Sequence, residues 1–238
     1  MWLPILIFGV FAIAIQWIYN RILFQRVRLD KYDETEFPIK FVNGISYIYD
    51  RPEADVVVIF SHGSSGNLTW RNKVRNLFKG TEYGLIIYDY YGYGVSDDVW
   101  TFFMNETTLS SSIEAVMPLV EDKKVILMGA SLGSFPTAWM AAQNPENLLG
   151  AILCVPFNYL LGRKYNNVAL CKNIKVPTLL IKARYDEIMP ELAHFDLMDA
   201  LNKFEFMTVP TKHKDYLTDL SKRKILDFVK NRIQDVER

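Results

Sequence analysis

Hydrophobic positions along this chain form short unbroken runs that alternate with longer amphipathic stretches. The runs are rich in β-branched and aromatic residues, which is typical of strands buried on both faces of a sheet. They cover residues 56–60, 85–90, 125–128, 151–155, 176–181 and 204–209, and the amphipathic stretches predict helices at 69–78, 109–120, 135–143, 191–201 and 220–233. Strands that alternate with helices predict an α/β fold in which helices flank both faces of a mostly parallel sheet.

One strand-to-helix junction carries the sequence Gly129-Ala130-Ser131-Leu132-Gly133. In a Gly-x-Ser-x-Gly turn, the chain reverses sharply after a strand and holds the serine oxygen exposed at the apex. The two glycines are expected because a side chain would clash where the strand and the helix come together. Glycine and serine are also common in ordinary turns, so the motif indicates a nucleophile only in this context. Ser131 is therefore the candidate nucleophile.

A serine hydroxyl is a weak nucleophile at neutral pH and needs a histidine base. The histidines of the chain are His62, His194 and His213. His213 lies in a polar loop after the predicted strand 204–209, and catalytic residues of open α/β sheets lie in loops at the carboxyl ends of strands. We expect His213 to be the base; the alternative is a solvated loop histidine between two lysines.

The base in turn needs an acid that orients its ring. Asp186 follows the predicted strand 176–181 and is the first candidate, with Glu187 and Asp215 as fallbacks. Each of these carboxylates could instead be a surface charge or a helix cap. The order along the chain, with Asp186 between the serine and the histidine, favours a nucleophile-acid-base arrangement.

The predicted strand 56–60 leads into a loop of small residues, 61–67. Such a loop lets backbone N–H groups approach a ligand, so we expect the N–H of Ser64 and the N–H of Leu132 to stabilise an oxyanion. His62 is then a structural residue that braces the loop. A phosphate-binding loop is excluded because no Lys-Ser or Lys-Thr pair follows the glycines.

The small-residue loop, the serine turn and the stretch 88–96, YDYYGYGVS, make the chain resemble the α/β-hydrolase family from about Tyr47 to the C-terminus. Within that family it is most similar to small membrane-anchored α/β-hydrolase-domain proteins, some of which cleave acyl thioesters from lipidated proteins. The resemblance implies an α/β-hydrolase fold. Tyr91, Ala183 and Lys212 depart from the family pattern, but none of them replaces a reacting group.

About twenty residues, 156–175, stand where larger lipases insert a helical cap. The lid is therefore expected to be small or absent, which favours a long or protein-borne acyl chain as substrate. The 13 tyrosines and 15 phenylalanines of the chain are expected to be mostly core, whereas the tyrosine cluster at 88–93 is expected to line the acyl pocket.

Residues 2–19 form an apolar run in which Gln16 is the one strongly polar side chain. As a helix this run would span roughly 27 Å, close to the thickness of a bilayer core. A cleaved signal peptide is disfavoured because no lysine or arginine precedes the run. We therefore predict a membrane anchor, the alternatives being a signal peptide and a helix buried against the domain.

Charge flanking this run predicts its orientation. Arg21, Arg26, Arg28 and Lys31 follow it and no basic side chain precedes it, so a single-pass anchor would leave the domain in the cytosol. The predicted organisation is a membrane anchor at 1–24, a charged and partly helical linker at 25–40 and one α/β-hydrolase domain at 41–238.

The remaining composition excludes several classes of function. Lys+Arg and Asp+Glu number 27 each, so no field would gather nucleic acid. We expect no metal and no cofactor, because three scattered histidines and two cysteines make no site. Cys154 in a strand and Cys171 in a loop agree with a reducing compartment. Sequons at Asn67 and Asn105 are attributed to chance, since such tripeptides are common. A glycan on Asn67 would also sit at the mouth of the site, which disfavours a lumenal domain.

These patterns together predict a membrane-anchored serine hydrolase that cleaves acyl esters or thioesters of a lipid or a lipidated protein. A monoacylglycerol-type lipase or esterase is the alternative within enzymes, since it differs only in its leaving group. A hydrolase-like membrane protein without catalysis is the alternative outside them. The sequence leaves the acyl acceptor and the oligomeric state open.

Overall fold

The computed structural model describes residue 14 and residues 26–98, 105–157, 166–189 and 191–237. These residues contain an eight-stranded sheet with the order β1-β2-β4-β3-β5-β6-β7-β8. Strands β3 to β8 run parallel to one another, while β1 and β2 pair antiparallel at one edge. The strands are β1 (Lys40–Val42), β2 (Ile45–Asp50), β3 (Val56–Ser61), β4 (Gly84–Tyr88), β5 (Lys124–Ala130), β6 (Leu148–Cys154), β7 (Thr178–Ala183) and β8 (Phe204–Val209).

Helices cover both faces of this sheet, which confirms the predicted architecture. They are α1 (Asn72–Phe78), α2 (Glu106–Val116), α3 (Ser134–Ala142), α4 (Asn167–Cys171), α5 (Glu191–Ala200) and α6 (Asp219–Glu237). Apolar side chains of α2, α3, α4 and α5 pack in one core layer, and those of α1 and α6 pack in the other. Strand β3 is buried at every position because it lies in the middle of the sheet, between both layers. The prediction that Cys171 lies in a loop is wrong, since it ends α4 and is fully buried.

The antiparallel edge begins with a hairpin that the hydrophobic pattern did not reveal. β1 and β2 are joined by Asn43 and Gly44, both with positive φ, at +48° and +76°. An Asn-Gly pair at these angles forms the type I′ turn that suits the twist of a two-residue hairpin. The signal was present in the sequence, but β1 is too short and too exposed to stand out by hydrophobic pattern.

The segment before β1, predicted as a linker, lies against the domain. Arg26 and Arg28 form parallel β-bridges with Gly66 and Gly94, and 26–39 contains no helix. Except for residue 14, the predicted anchor at 2–19 lies outside the described residues. Within the described part of the chain, no helix combines the length and the apolar character that crossing a bilayer requires.

Candidate active site

Ser131 stands directly after β5 with a φ of +52°, in the left-handed region that L-residues rarely adopt. The strain is held by close packing of the backbone on both sides of the turn. A Cβ added to Gly129 would lie 2.2 Å from the Gly133 carbonyl oxygen, and one added to Gly133 would lie 2.0 Å from the Ser61 carbonyl oxygen. Both distances are far shorter than a carbon-oxygen contact, so the motif requires glycine at these two positions.

A buried polar network supports the same turn from behind. The Ser134 hydroxyl donates to the Ser131 carbonyl at 2.6 Å and accepts from the Phe157 N–H at 3.0 Å and the Asn167 amide at 2.7 Å. Ser134 and Asn167 are fully buried. This network, which the sequence analysis did not find, ties α3 and α4 to the serine turn. Ser134 and Asn167 are 33 residues apart in the chain, and no local pattern marks either of them.

The structure brings the three predicted catalytic side chains together at the carboxyl end of the sheet. His213 Nε2 lies 2.8 Å from the Ser131 hydroxyl oxygen, and His213 Nδ1 lies 2.8 Å from Asp186 Oδ2. The side chains of His213 and Asp186 are 5% and 3% exposed. With Nδ1 donating to the carboxylate, the neutral imidazole presents Nε2 as an acceptor to the serine O–H.

The Asp186 carboxylate is held by its own loop. The N–H groups of Ile188 and Met189 donate to Oδ1 at 2.9 and 2.8 Å, which leaves Oδ2 for His213. Burial works to raise the pKa of Asp186, but the hydrogen bonds from His213 and from these N–H groups outweigh it and lower the pKa. Glu187, one of the fallback acids, accepts the backbone N–H of His213 at 3.1 Å instead of facing its ring.

The loop 61–67 at the end of β3 lies beside the serine turn, and hydrogen bonds from buried tyrosines hold it in place. A Cβ added to Gly63 would lie 3.6 Å from the Ser131 Cβ. Tyr90 donates to the His62 carbonyl at 2.5 Å, and Tyr93 donates to the Ser64 carbonyl at 2.9 Å. Tyr90 and Tyr93 are fully buried, as is Tyr88. The expectation that this cluster lines the acyl pocket is therefore wrong for these three rings, which belong to the core.

His62 is buried beneath the same loop. Its Nδ1 lies 2.6 Å from the Gly63 carbonyl oxygen, and its Nε2 lies 3.2 Å from a carboxylate oxygen of Asp89, which is also fully buried. Burial, together with the nearby Arg71 guanidinium, lowers the pKa of His62. Arg71 also donates to the Ser65 carbonyl. These contacts fit the predicted bracing role of His62.

His194, in α5, is a third buried histidine. Neither of its ring nitrogens has a hydrogen-bond partner among the described residues. Burial lowers its pKa to about 4. It stays neutral at physiological pH.

A cavity of about 450 Å³ opens over the serine turn. Its walls come from the loops after β3, β5, β6, β7 and β8, and its lining includes Ser64, Ser131, Val155, Ile188 and His213. Val155 has a φ of +41°, which is unusual for a β-branched residue and adds to the backbone strain concentrated at this site. The N–H groups of Ser64 and Leu132 remain the predicted oxyanion donors. Two larger cavities in the described structure lie away from Ser131.

Asn67 ends this loop and has no exposed surface. Its side-chain oxygen caps the short helical turn Leu68–Trp70, and its amide donates to the Val27 carbonyl at 3.3 Å. The sequon at Asn67 is therefore enclosed in the folded domain instead of standing at the mouth of the site. In the described ranges, no group of three or more His, Cys, Asp or Glu side chains could hold a metal ion.

Comparison with known proteins agrees with this architecture. Residues 56–165 match the family model described as the alpha/beta hydrolase fold. An esterase from Pyrococcus furiosus is 14% identical, with a TM-score of 0.72 over 89% of this chain and 98% of that chain. Est1E from Butyrivibrio proteoclasticus, solved with ferulic acid, is 17% identical, with a TM-score of 0.68 over 82% and 99%.

A thioesterase domain from the curacin biosynthetic pathway is similar to a comparable extent. It is 15% identical, with a TM-score of 0.63 over 79% of this chain and 97% of that chain. At these identities the likeness concerns the fold. The chain has the α/β-hydrolase fold, with a mostly parallel sheet flanked by helices.

Proposed function

We propose that this protein is a membrane-anchored serine hydrolase that cleaves acyl esters or thioesters through an acyl-enzyme intermediate on Ser131. The observation that carries the proposal is the unbroken chain of hydrogen bonds from the Ser131 hydroxyl through His213 to Asp186, at 2.8 Å for each step. This chain lies at the wall of a cavity, on a strained turn that presents the serine oxygen. The coarser activity, hydrolysis, is also what the esterases of similar fold carry out.

The geometry supports a two-step covalent route. Ser131 attacks the acyl carbonyl while His213 Nε2 takes its proton, and the same nitrogen then passes that proton to the leaving oxygen or sulfur. Water enters, loses a proton to His213 and attacks the acyl-enzyme, which releases the acid and restores Ser131. Asp186 holds Nδ1–H in place throughout and stabilises the imidazolium. The N–H groups of Ser64 and Leu132 stabilise the oxyanion, at about 3 kcal/mol per donor.

The cavity and the predicted anchor support the proposed substrate class. Apolar side chains such as Phe60, Val74, Val155 and Leu217 line the cavity and suit an acyl chain. A single-pass anchor at 2–19, with the domain in the cytosol, would bring the site to bilayer-borne lipids or lipidated proteins. A monoacylglycerol-type substrate remains the competing leaving group, because the same triad serves an oxygen or a sulfur leaving group.

The test is covalent labelling of the full chain by a fluorophosphonate. Ser131→Ala should abolish labelling without unfolding the domain, since the hydroxyl contributes no packing to the core. Ser111→Ala, a change in α2, is the matched control and should label as the parent does. Labelling that survives Ser131→Ala would mean that the nucleophile is another residue.

Competition identifies the substrate. Long-chain lipid esters and acylated-peptide thioesters are each added before the fluorophosphonate, and the true substrate class should slow labelling at the lower concentration. If neither class competes although Ser131 labels, the proposed substrate class is wrong while the chemistry stands.

Deletion of residues 1–24 tests the anchor. The full chain should resist carbonate extraction from membranes, and the truncated chain should be soluble. The truncated enzyme should keep its rate on a short soluble ester, because an anchor embedded in the bilayer would not contact the transition state. It should lose rate on bilayer-borne substrate. Equal loss on both substrates would mean that the N-terminal segment is part of the pocket.

A further inference from the structure

Two large apolar side chains stand exposed at the mouth of the site cavity. Trp70 is 61% exposed and Ile188 is 42% exposed, and both line the cavity that contains Ser131. They come from different parts of the fold, one from the turn before α1 and one from the loop that holds Asp186. Exposed apolar side chains that line one cavity favour contact with an apolar partner there.

Positive charge accompanies these apolar side chains. The exposed lysines Lys73 and Lys214 line the same cavity, whereas Asp215 is the one acidic residue among the described residues that line it. The half-buried Arg71 adds a further positive charge in the cavity wall. An apolar surface beside lysines fits a bilayer whose headgroups carry negative charge.

The N-terminal segment reaches the domain at this same place. Arg26 forms a β-bridge with Gly66, and the indole ring of Trp70 covers Gly66 so closely that a Cβ there would lie 2.5 Å from it. The Asn67 amide and the Gly94 N–H donate to the Val27 carbonyl, so the segment is attached beside Trp70, which lines the cavity.

The distance from the attachment to a membrane is short. Six residues, 20–25, separate the last residue of the predicted anchor from Arg26. Even fully extended, seven Cα steps span at most about 25 Å. An anchor at 2–19 would therefore hold the Trp70 side of the cavity near the bilayer surface, whatever conformation those residues adopt.

We propose that the rim formed by Trp70, Ile188, Lys73 and Lys214 is a docking surface for a bilayer that contains anionic lipids. The docked domain directs the mouth of its cavity toward the membrane, so that an acyl chain passes from the bilayer to Ser131 without crossing water. This inference rests on the proposed anchor, and it adds an orientation of the domain that tethering alone does not impose.

The test uses the full chain in lipid nanodiscs with bromine on the acyl chains. A fluorophore is attached to Ile188→Cys and, in a separate protein, to Phe204→Cys. Phe204 is matched in exposure, at 38%, but lies at the amino end of β8, at the opposite edge of the parallel strands. The native Cys154 and Cys171 are buried with raised thiol pKa values and should not react with the label.

Docking predicts that the brominated lipids quench the probe at position 188 and leave the probe at position 204 bright. Trp70→Ser should weaken the quenching at 188, whereas Phe41→Ser, a matched change at a side chain that is 56% exposed on β1, should not. Lys73→Gln and Lys214→Gln should each lower the ratio of docked to undocked domain about fivefold in discs with anionic lipid, and less in neutral discs.

Each outcome decides between the anchor and the docking surface. A chain that does not copurify with the discs would overturn the anchor and the docking together. A chain that copurifies but shows equal quenching at 188 and 204, or none at either, would overturn the docking alone. If neither lysine change affects the quenching at position 188, the contact with the bilayer is apolar and the proposed role of anionic lipid is wrong. Fluorophosphonate labelling of Ser131 reports the catalytic proposal independently of all three results.

Discussion

The described part of the chain contains two buried aspartate-histidine pairs at the carboxyl end of one sheet, and their environments differ. In one pair, His213 Nδ1 lies 2.8 Å from Asp186 and Nε2 lies 2.8 Å from the Ser131 hydroxyl. In the other, His62 Nε2 lies 3.2 Å from Asp89, and Nδ1 faces the Gly63 carbonyl. An aspartate beside a histidine is therefore not enough to indicate a catalytic base.

The two pairs differ in what the histidine contacts through the ring nitrogen that does not face the aspartate. His213 has that nitrogen on the cavity wall, against a hydroxyl that can react, and its partner carboxylate is held by two backbone N–H groups. The His62 ring lies 4.4 Å from the ring of Tyr90, with both of its nitrogens turned toward the protein interior. We therefore propose that the first pair moves a proton to a substrate and that the second pair holds a loop.

Replacement of each histidine by alanine should give the largest difference between the two pairs. His213→Ala should lower kcat by about 10⁶-fold, because the nucleophile and the base act as one unit. His62→Ala should instead lower the free energy of unfolding by about 3 kcal/mol, since it empties a buried site. Steady-state kinetics and urea unfolding of both variants separate the two effects. A folded His62→Ala protein without turnover would show that the base has been assigned to the wrong histidine.

A change of each carboxylate should show a smaller contrast of the same kind. Asp186→Asn should lower kcat by about 10⁴-fold, because the amide favours the wrong tautomer of His213. Its remaining oxygen can still accept from Ile188 and Met189, so the fold should persist. Asp89→Asn should lower the free energy of unfolding by about 1 kcal/mol and spare most of kcat. Comparable losses of kcat in the two variants would contradict the contrast.

Part of the pH dependence of stability should come from the histidines that do not face the cavity. The folded pKa of His194 lies at about 4, below its ordinary 6.5, because burial disfavours the charged ring. The free energy of unfolding that this group contributes is therefore fully present above pH 6.5 and declines as pH falls toward 4. The displacement corresponds to about 3 kcal/mol. Urea unfolding at several pH values should therefore show a shallower acid decline in His194→Leu. The decline should not vanish, because burial also lowers the pKa of His62.

The smallest effect concerns the tyrosine that holds the His62 carbonyl. Tyr90→Phe removes the hydrogen bond at 2.5 Å and should cost about 1 kcal/mol of unfolding free energy. Tyr49→Phe is the matched control, because the buried Tyr49 hydroxyl has no hydrogen-bond partner among the described residues. Loss of the Tyr49 hydroxyl should leave the free energy of unfolding unchanged or raise it. Equal cost in both variants would remove the assigned role of Tyr90.

Sequence reasoning predicted the parts of this structure that depend on local pattern. The strand predicted at 204–209 is observed as Phe204–Val209, and the turn at Ser131 has the backbone that its glycines indicated. The meeting of Ser131, Asp186 and His213 could be predicted because all three follow parallel strands, whose carboxyl ends share one edge of the sheet.

Features that depend on contacts between distant segments could not be predicted in this way. The sequence pattern at 88–93 did not show whether these tyrosines line the pocket or belong to the core. The pairing of β3 with β4 places Tyr90 and Tyr93 beneath the loop 61–67, where they donate to the His62 and Ser64 carbonyls. The Ser134 and Asn167 bond likewise has no signature in either segment.

The enclosed position of Asn67 bears on how the chain can be synthesised. Oligosaccharyltransferase modifies sequons on chains that enter the lumen of the secretory pathway, before the domain has folded. A sugar would be attached to the Asn67 amide nitrogen that now donates to the Val27 carbonyl. Because Asn67 has no exposed surface, the folded domain leaves no room for that sugar, so glycosylation and folding of this domain exclude each other. A ribosome that delivers the domain to the cytosol avoids this conflict, in agreement with the proposed orientation of the anchor.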